Sequence, residues 1–130
     1  MNLLLDTHVL LWWIDGSKRL GKRAKAAMVR PSASLWISAA SVWELAIKLG
    51  AGRLKTNEPL EEIISSLLEI GFQALPISLP HALAIRALPA KHADPFDRIL
   101  VAQAQCEDLT IVTTDPAIAA YDVRTIDASD

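Results

Sequence analysis

The strongest constraint on the fold is an alternation of two kinds of segment along the whole chain. Short apolar runs of strand length alternate with stretches whose apolar residues recur at helical spacing. Strands are predicted at Asn2 to Leu5, Ser34 to Ser38, Phe72 to Ile77, Leu109 to Thr113 and Val123 to Ile126. Helices are predicted at Thr7 to Ile14, Leu20 to Val29, Ala39 to Leu49, Pro59 to Ile70, Pro80 to Leu88, Pro95 to Glu107 and Pro116 to Tyr121. Stop signals separate them: Asp15-Gly16, Pro31, Gly50 with Gly52, Gly71 and Pro89. Asp94 before Pro95 is the clearest helix start. Alternation of this kind requires right-handed crossovers and a mainly parallel sheet of about five strands. The predicted class is therefore α/β, a three-layer sandwich. Such folds bind ligands outside the carboxyl ends of their strands.

Bulk properties narrow the class further. A chain of 130 residues with 52% apolar content fits one domain, residues 1–130, with an ample core. A net charge of −2 with 22% charged residues is that of a globular chain, not a disordered one. No apolar run approaches the roughly 18 residues needed to cross a bilayer. The start, Met-Asn-Leu-Leu-Leu-Asp, lacks the basic and small-residue parts of a signal peptide, so a cytoplasmic location without membrane contact is expected. Cys106 stands alone, and no Cys/His set has zinc spacing. There is no glycine-rich phosphate loop and no Gly-x-Ser-x-Gly.

Four acidic residues fall where the chain changes element type. Asp6 ends the first strand and Asp115 follows the fourth, so both belong at the carboxyl edge of the sheet. Glu44 lies on the third helix and Asp97 in the first turn of the sixth. Each has a structural explanation. Asp6, Asp94 and Asp115 suit helix N-caps, Ser41-x-x-Glu44 matches a capping box, and Glu44 suits an i,i+4 pair with Lys48. As a set they call for more. Glu44 belongs to a narrow polar strip, with Ser41 and Lys48, on a helix otherwise apolar all round. Two carboxylates about 4 Å apart repel by roughly 4 kcal/mol at an effective dielectric near 20. A shared cation removes that cost, and oxygen-only ligation points to Mg²⁺ or Mn²⁺.

Between Asp15 and Glu44 there are six basic residues and no acidic one. On a continuous helix Lys18, Lys22 and Lys25 share a face, with Arg19 and Arg23 beside it. This is either a solvated helix face or a stripe that tracks phosphates.

These segments, in this order, resemble the PIN-domain ribonucleases, and within them the VapC-type toxins of toxin–antitoxin pairs. The carrying segments are Leu3 to Trp12; Ser38-x-x-Ser41-x-Trp43-Glu44-Leu45-x-x-Lys48; Asp94-Pro95-Phe96-Asp97-Arg98 to Ala104; and Thr110 to Asp115. The resemblance implies a PIN-like sandwich and a Mg²⁺-dependent endoribonuclease, Mn²⁺ being the other candidate ion. Its substrate would be transfer RNA or another structured or single-stranded RNA. Carried over by position, Asp6, Glu44, Asp97 and Asp115 form the acidic quartet. Asp6 and Asp97 would be direct ligands, Asp115 direct or through water, and Glu44 would orient water or hold a second ion. Thr7 and Thr113 would position water. A homodimer and a cognate antitoxin protein complete the implied assembly.

Other residues carry less. His8, His81 and His92 have no ligand spacing and are expected outside the site. Trp12, Trp13, Trp36 and Trp43 are expected in the core. Trp12 and Trp13 are adjacent and cannot both face one core side, so one of them is free to line a groove or a dimer surface. Two other readings compete: a catalytically idle PIN-like module that binds RNA or protein, and a response-regulator receiver. The receiver lacks its paired acids after the first strand and its lysine after the last.

Overall fold

The computed structural model describes residues 1–130. Its elements are β1 (Asn2–Leu5), α1 (Thr7–Asp15), α2 (Lys22–Met28), β2 (Ser34–Ser38), α3 (Ala39–Gly50), α4 (Leu60–Glu69), β3 (Gln73–Leu75), α5 (Leu79–Ala84), α6 (Pro95–Glu107), β4 (Thr110–Thr113), α7 (Pro116–Ala119) and β5 (Thr125–Asp127). A single 3₁₀ turn, Ile85–Ala87, extends α5. The five strands form one sheet in the order β3-β2-β1-β4-β5, and every pairing is parallel.

Strand periodicity builds the three layers. In β1, Leu3 and Leu5 point to one face and Leu4 to the other. The first face packs under α1, α2, α3 and α4, through Val9, Leu10, Ala24, Met28, Leu45 and Leu67. The second packs under α6 and α7, through Leu100, Val101, Ala104 and Ile118. Burial on both faces explains why Leu3-Leu4-Leu5 and Ile111-Val112 run apolar on consecutive positions rather than alternating.

Several expected boundaries shift for physical reasons. The helix expected at Leu20 starts only at Lys22. Gly21 is extended and donates to Ala128 O (2.8 Å), docking this turn on the chain's last residues. Lys18 and Arg19 therefore lie in a turn, and the expected single face with Lys22 and Lys25 does not form. The helix expected from Pro80 to Leu88 is α5 plus the 3₁₀ turn. β3 and β5 are shorter than predicted, and Val123 packs on the second core instead of entering β5. Gly16 closes α1 with φ of +61°, a left-handed position open to glycine at little cost.

Trp12 and Trp13 both rest, partly buried, on the first core layer; Trp13 meets Phe72 edge-on at 5.5 Å and also lines a cleft beside α1 and α4. One expectation about packing is overturned: Trp43 is not in the core, and helix α3 is not buried all round. Its polar strip is the buried side, whereas Trp43 is 57% exposed and Ile47 42%. The capping box at Ser41 is absent because Ser38 is the N-cap, accepting from Ala40 N at 3.0 Å.

Candidate functional site

Topology brings the acids together. The chain leaves β1 toward β2 and β3 on one side, and β4 and β5 lie on the other. The carboxyl ends of β1 and β4 thus flank the switch point of the sheet. Asp6 stands at the end of β1, its amide donating to Val112 O of β4 (3.1 Å). Its Oδ1 caps α1 by accepting from Val9 N at 2.8 Å. Its Oδ2 accepts from the Thr113 hydroxyl, and Thr113 Oγ1 accepts in turn from Asp115 N at 3.0 Å. Thr113 is thus a brace between two of the predicted acids. Asp115 Oδ1 caps α7 through Ala117 N (2.8 Å), leaving Oδ2 for the site. Asp94 caps α6 through Phe96 N (2.9 Å), which sets Asp97 one turn into the helix.

Glu44 reaches the site from α3. It is 7% exposed; Oε2 pairs with Lys48 Nζ at 3.0 Å, and Oε1 is buried with no hydrogen-bond partner. Thr7, also buried, donates to Ser41 Oγ at 3.1 Å and ties α1 to the inner face of α3.

The structure adds a residue that was expected outside the site. His92, in the loop before α6, places Nε2 at 2.8 Å from Asp115 Oδ2 and 3.0 Å from Asp97 Oδ2. Donor atoms of His92, Asp97 and Asp115 all lie within 4.8 Å of one another. The only local signal for His92 is its place two residues before the Asp94 cap. The other histidines do lie outside. His8 is exposed, and His81 is buried in a reciprocal cap with Ser78.

The electrostatics are those of an under-compensated acidic centre. Burial, reinforced by the Asp94 charge, pushes the Asp97 carboxyl up to about 7; Asp6 and Glu44 add to this, and His92 opposes it. Burial likewise raises Asp6, against the lowering by its bonds from Thr113 and Val9. Burial disfavours a charged His92, but the Asp115 hydrogen bond and the Asp97, Asp115 and Asp94 charges outweigh it and raise its pKa. One buried oxygen without a partner, among carboxylates that hold their protons too tightly, is the condition a cation relieves. Oxygen donors of Asp6, Glu44, Asp97 and Asp115 fit a hard divalent ion.

The predicted basic residues Lys18, Arg19, Lys22, Arg23 and Lys25 are all exposed. Gly21, in their midst, is bonded to Ala128 just past the carboxyl end of β5, so the turn lies toward the same edge as the acids. No helix is long and apolar enough to cross a membrane.

Comparison with known proteins agrees with this fold. The chain is 29% identical over 121 residues to Ribonuclease VapC22 of Mycobacterium tuberculosis, covering 92% of each. It superposes on FitAcB from Neisseria gonorrhoeae with a TM-score of 0.65, at 25% identity and 97% coverage of both chains. It superposes on VapBC2 from Rickettsia felis, solved bound to a promoter DNA fragment, with a TM-score of 0.74. That match has 15% identity and covers 97% of this chain and 98% of the other. The PIN domain family matches residues 3–124, nearly the whole chain, and the chain therefore belongs to the PIN domain family.

Proposed function

We propose that the chain, as one PIN domain over residues 1–130, is a Mg²⁺-dependent endoribonuclease, the toxin of a toxin–antitoxin pair, hydrolysing transfer RNA or another structured or single-stranded RNA. The observation that carries this reading is the approach of Asp97 and Asp115 donor atoms to within 4.8 Å of each other, with Asp6 and Glu44 near enough to raise the Asp97 carboxyl and with Glu44 Oε1 buried and unpartnered. Its likeness to Ribonuclease VapC22 supports the same chemistry.

Asp97, Asp115 and Asp6 would hold the ion, with Glu44 completing the set. When bound, Mg²⁺ (or Mn²⁺) supplies a Lewis acid that neutralises charge on the scissile phosphate and makes water a better nucleophile. The protein's own part is preorganisation. Helix caps and Thr113 hold the Asp6 and Asp115 carboxylates before substrate arrives, so these two need no reorganisation at the moment of reaction. Lys18, Arg19, Lys22, Arg23 and Lys25 offer exposed positive charge to the RNA backbone beside this edge.

Two surfaces support the assembly. A cleft of about 600 Å³ beside α1 and α4, lined by Trp13, Ile14, Lys55, Ile63 and Leu67, suits a segment of a cognate antitoxin. An apolar surface across α3, α5 and α6, with Trp43, Leu79 and Leu83 at 57%, 80% and 63% exposure, suits pairing with a second copy. The test is induced expression followed by sequencing of RNA ends. New ends at defined positions are expected with the wild type and none with Asp6→Asn. An unchanged set of ends in that variant refutes the assignment.

A further inference from the structure

We propose that His92 is a positioning residue of the acidic centre: its imidazole, hydrogen-bonded to Asp115 and at ion-pair distance from Asp97, holds the two carboxylates in the spacing that receives the cation. This rests on the reading of those acids as cation ligands. Three observations lead to it.

The first is the bridge itself. Nε2 contacts one oxygen of each carboxylate, at 3.0 Å on Asp97 and 2.8 Å on Asp115, though the two come from different elements. Asp115 is held at its far oxygen by Ala117 N. The Asp97 carboxylate accepts no hydrogen bond from a side-chain or backbone donor, so the ion-pair contact with His92 is what ties it to the β4 side of the site.

The second is the tautomer. Nδ1 accepts from the backbone amide of Asp94 at 3.1 Å. An amide N–H pointing at Nδ1 leaves the ring hydrogen on Nε2. The nitrogen facing the acids is therefore the donor of the hydrogen bond to Asp115 Oδ2, with Asp97 Oδ2 held beside it at ion-pair distance. That makes His92 a brace for ligands rather than a ligand.

The third is the support behind the loop. Arg98, adjacent to Asp97, donates through Nη1 to Pro89 O (3.0 Å) and through Nη2 to Ile85 O (3.4 Å). Arg98 Nη1 also reaches Tyr121 Oη (3.1 Å), and the buried Tyr121 hydroxyl accepts from Lys91 N (3.2 Å). Both residues immobilise the segment 85–91 that delivers His92. A site held by partners that are themselves held keeps its geometry between turnovers.

Two side chains separate bridging from loop anchoring. His92→Asn keeps an acceptor for the Asp94 amide but is too short to span the carboxylates. His92→Gln keeps an N–H at the reach of Nε2. Mn²⁺ binding to each folded variant is measured by titration calorimetry, with thermal melts of the metal-free proteins alongside. The expected result is Mn²⁺ affinity lowered on the order of 10-fold in His92→Asn, largely recovered in His92→Gln, with similar melts for both. Equal or tighter Mn²⁺ binding by His92→Asn overturns the proposal while leaving the acidic centre as a cation site. Absence of Mn²⁺ binding by the wild type overturns both.

Discussion

Asp97→Asn is expected to stabilise the metal-free protein while removing its activity, and the gain has a definite pH dependence. Burial and neighbouring acids hold the Asp97 carboxyl at about 7 against its ordinary 3.8. In that window the folded state binds a proton that the unfolded chain has already released. Stability from this group is thus fully present below 3.8 and is lost as pH rises toward 7. The difference corresponds to about 4 kcal/mol at about 1.4 kcal/mol per tenfold in proton affinity. Its side chain is 18% exposed, and solvent screening with the lost His92 attraction reduces the expected net gain to about 1–2 kcal/mol at pH 8. Asn is isosteric and keeps an acceptor for His92. Unfolding in chelator, followed by denaturant titration at pH 5 and pH 8, should show the variant's advantage growing with pH. Added Mg²⁺ should reverse the ranking, because an ion at about a hundred times its Kd adds about 2.7 kcal/mol to a protein that binds it. A variant less stable than wild type in chelator at pH 8 refutes the reasoning, since it would mean that Asp97 is already compensated.

Gly21→Ala should cost about 1–3 kcal/mol in denaturant unfolding, because its Cβ would fall 2.0 Å from the Asp130 carbonyl carbon and must displace backbone. Replacing Lys22 and Lys25 by Ala in an Asp97→Asn background should weaken RNA binding and flatten its log–log salt dependence by about 1.4, at about 0.7 for each phosphate contact on single strands. An unchanged slope would assign these lysines to a solvated face. Trp43→Glu should convert a dimer to a monomer in sedimentation velocity, at a cost to the monomer of about 0.5–1.5 kcal/mol from the lost edge contact with Phe96.

Much of the frame was legible because it is local. Strand runs, Pro and Gly stops and the Asp94-Pro95 start depend on neighbours in the chain, and they located every element to within a few residues. Asp6 and Asp115 were readable for the same reason: a parallel sheet puts the residues after its strands on one edge. What was not legible depends on packing across the chain. The late start of α2 follows from Gly21 meeting Ala128, more than a hundred residues away. Helix α3 shows why a wheel is insufficient when apolar residues surround a polar strip. Nothing in the pattern says that Ser41 and Glu44 turn inward while Trp43 and Ile47 face out. His92 was missed because its partners, Asp97 and Asp115, meet it only through a loop held by Arg98 and Tyr121, and no spacing rule encodes that.

The central claim, that this acidic edge cleaves RNA with a divalent ion, is tested most directly by one cleavage assay. End-labelled RNA is incubated with purified wild type, Asp6→Asn and Asp97→Asn, in Mg²⁺ and in chelator. Discrete internal cuts by the wild type in Mg²⁺, with intact RNA in chelator and with both variants, is the predicted result. Cleavage that persists in chelator, or at full rate in either variant, would contradict it.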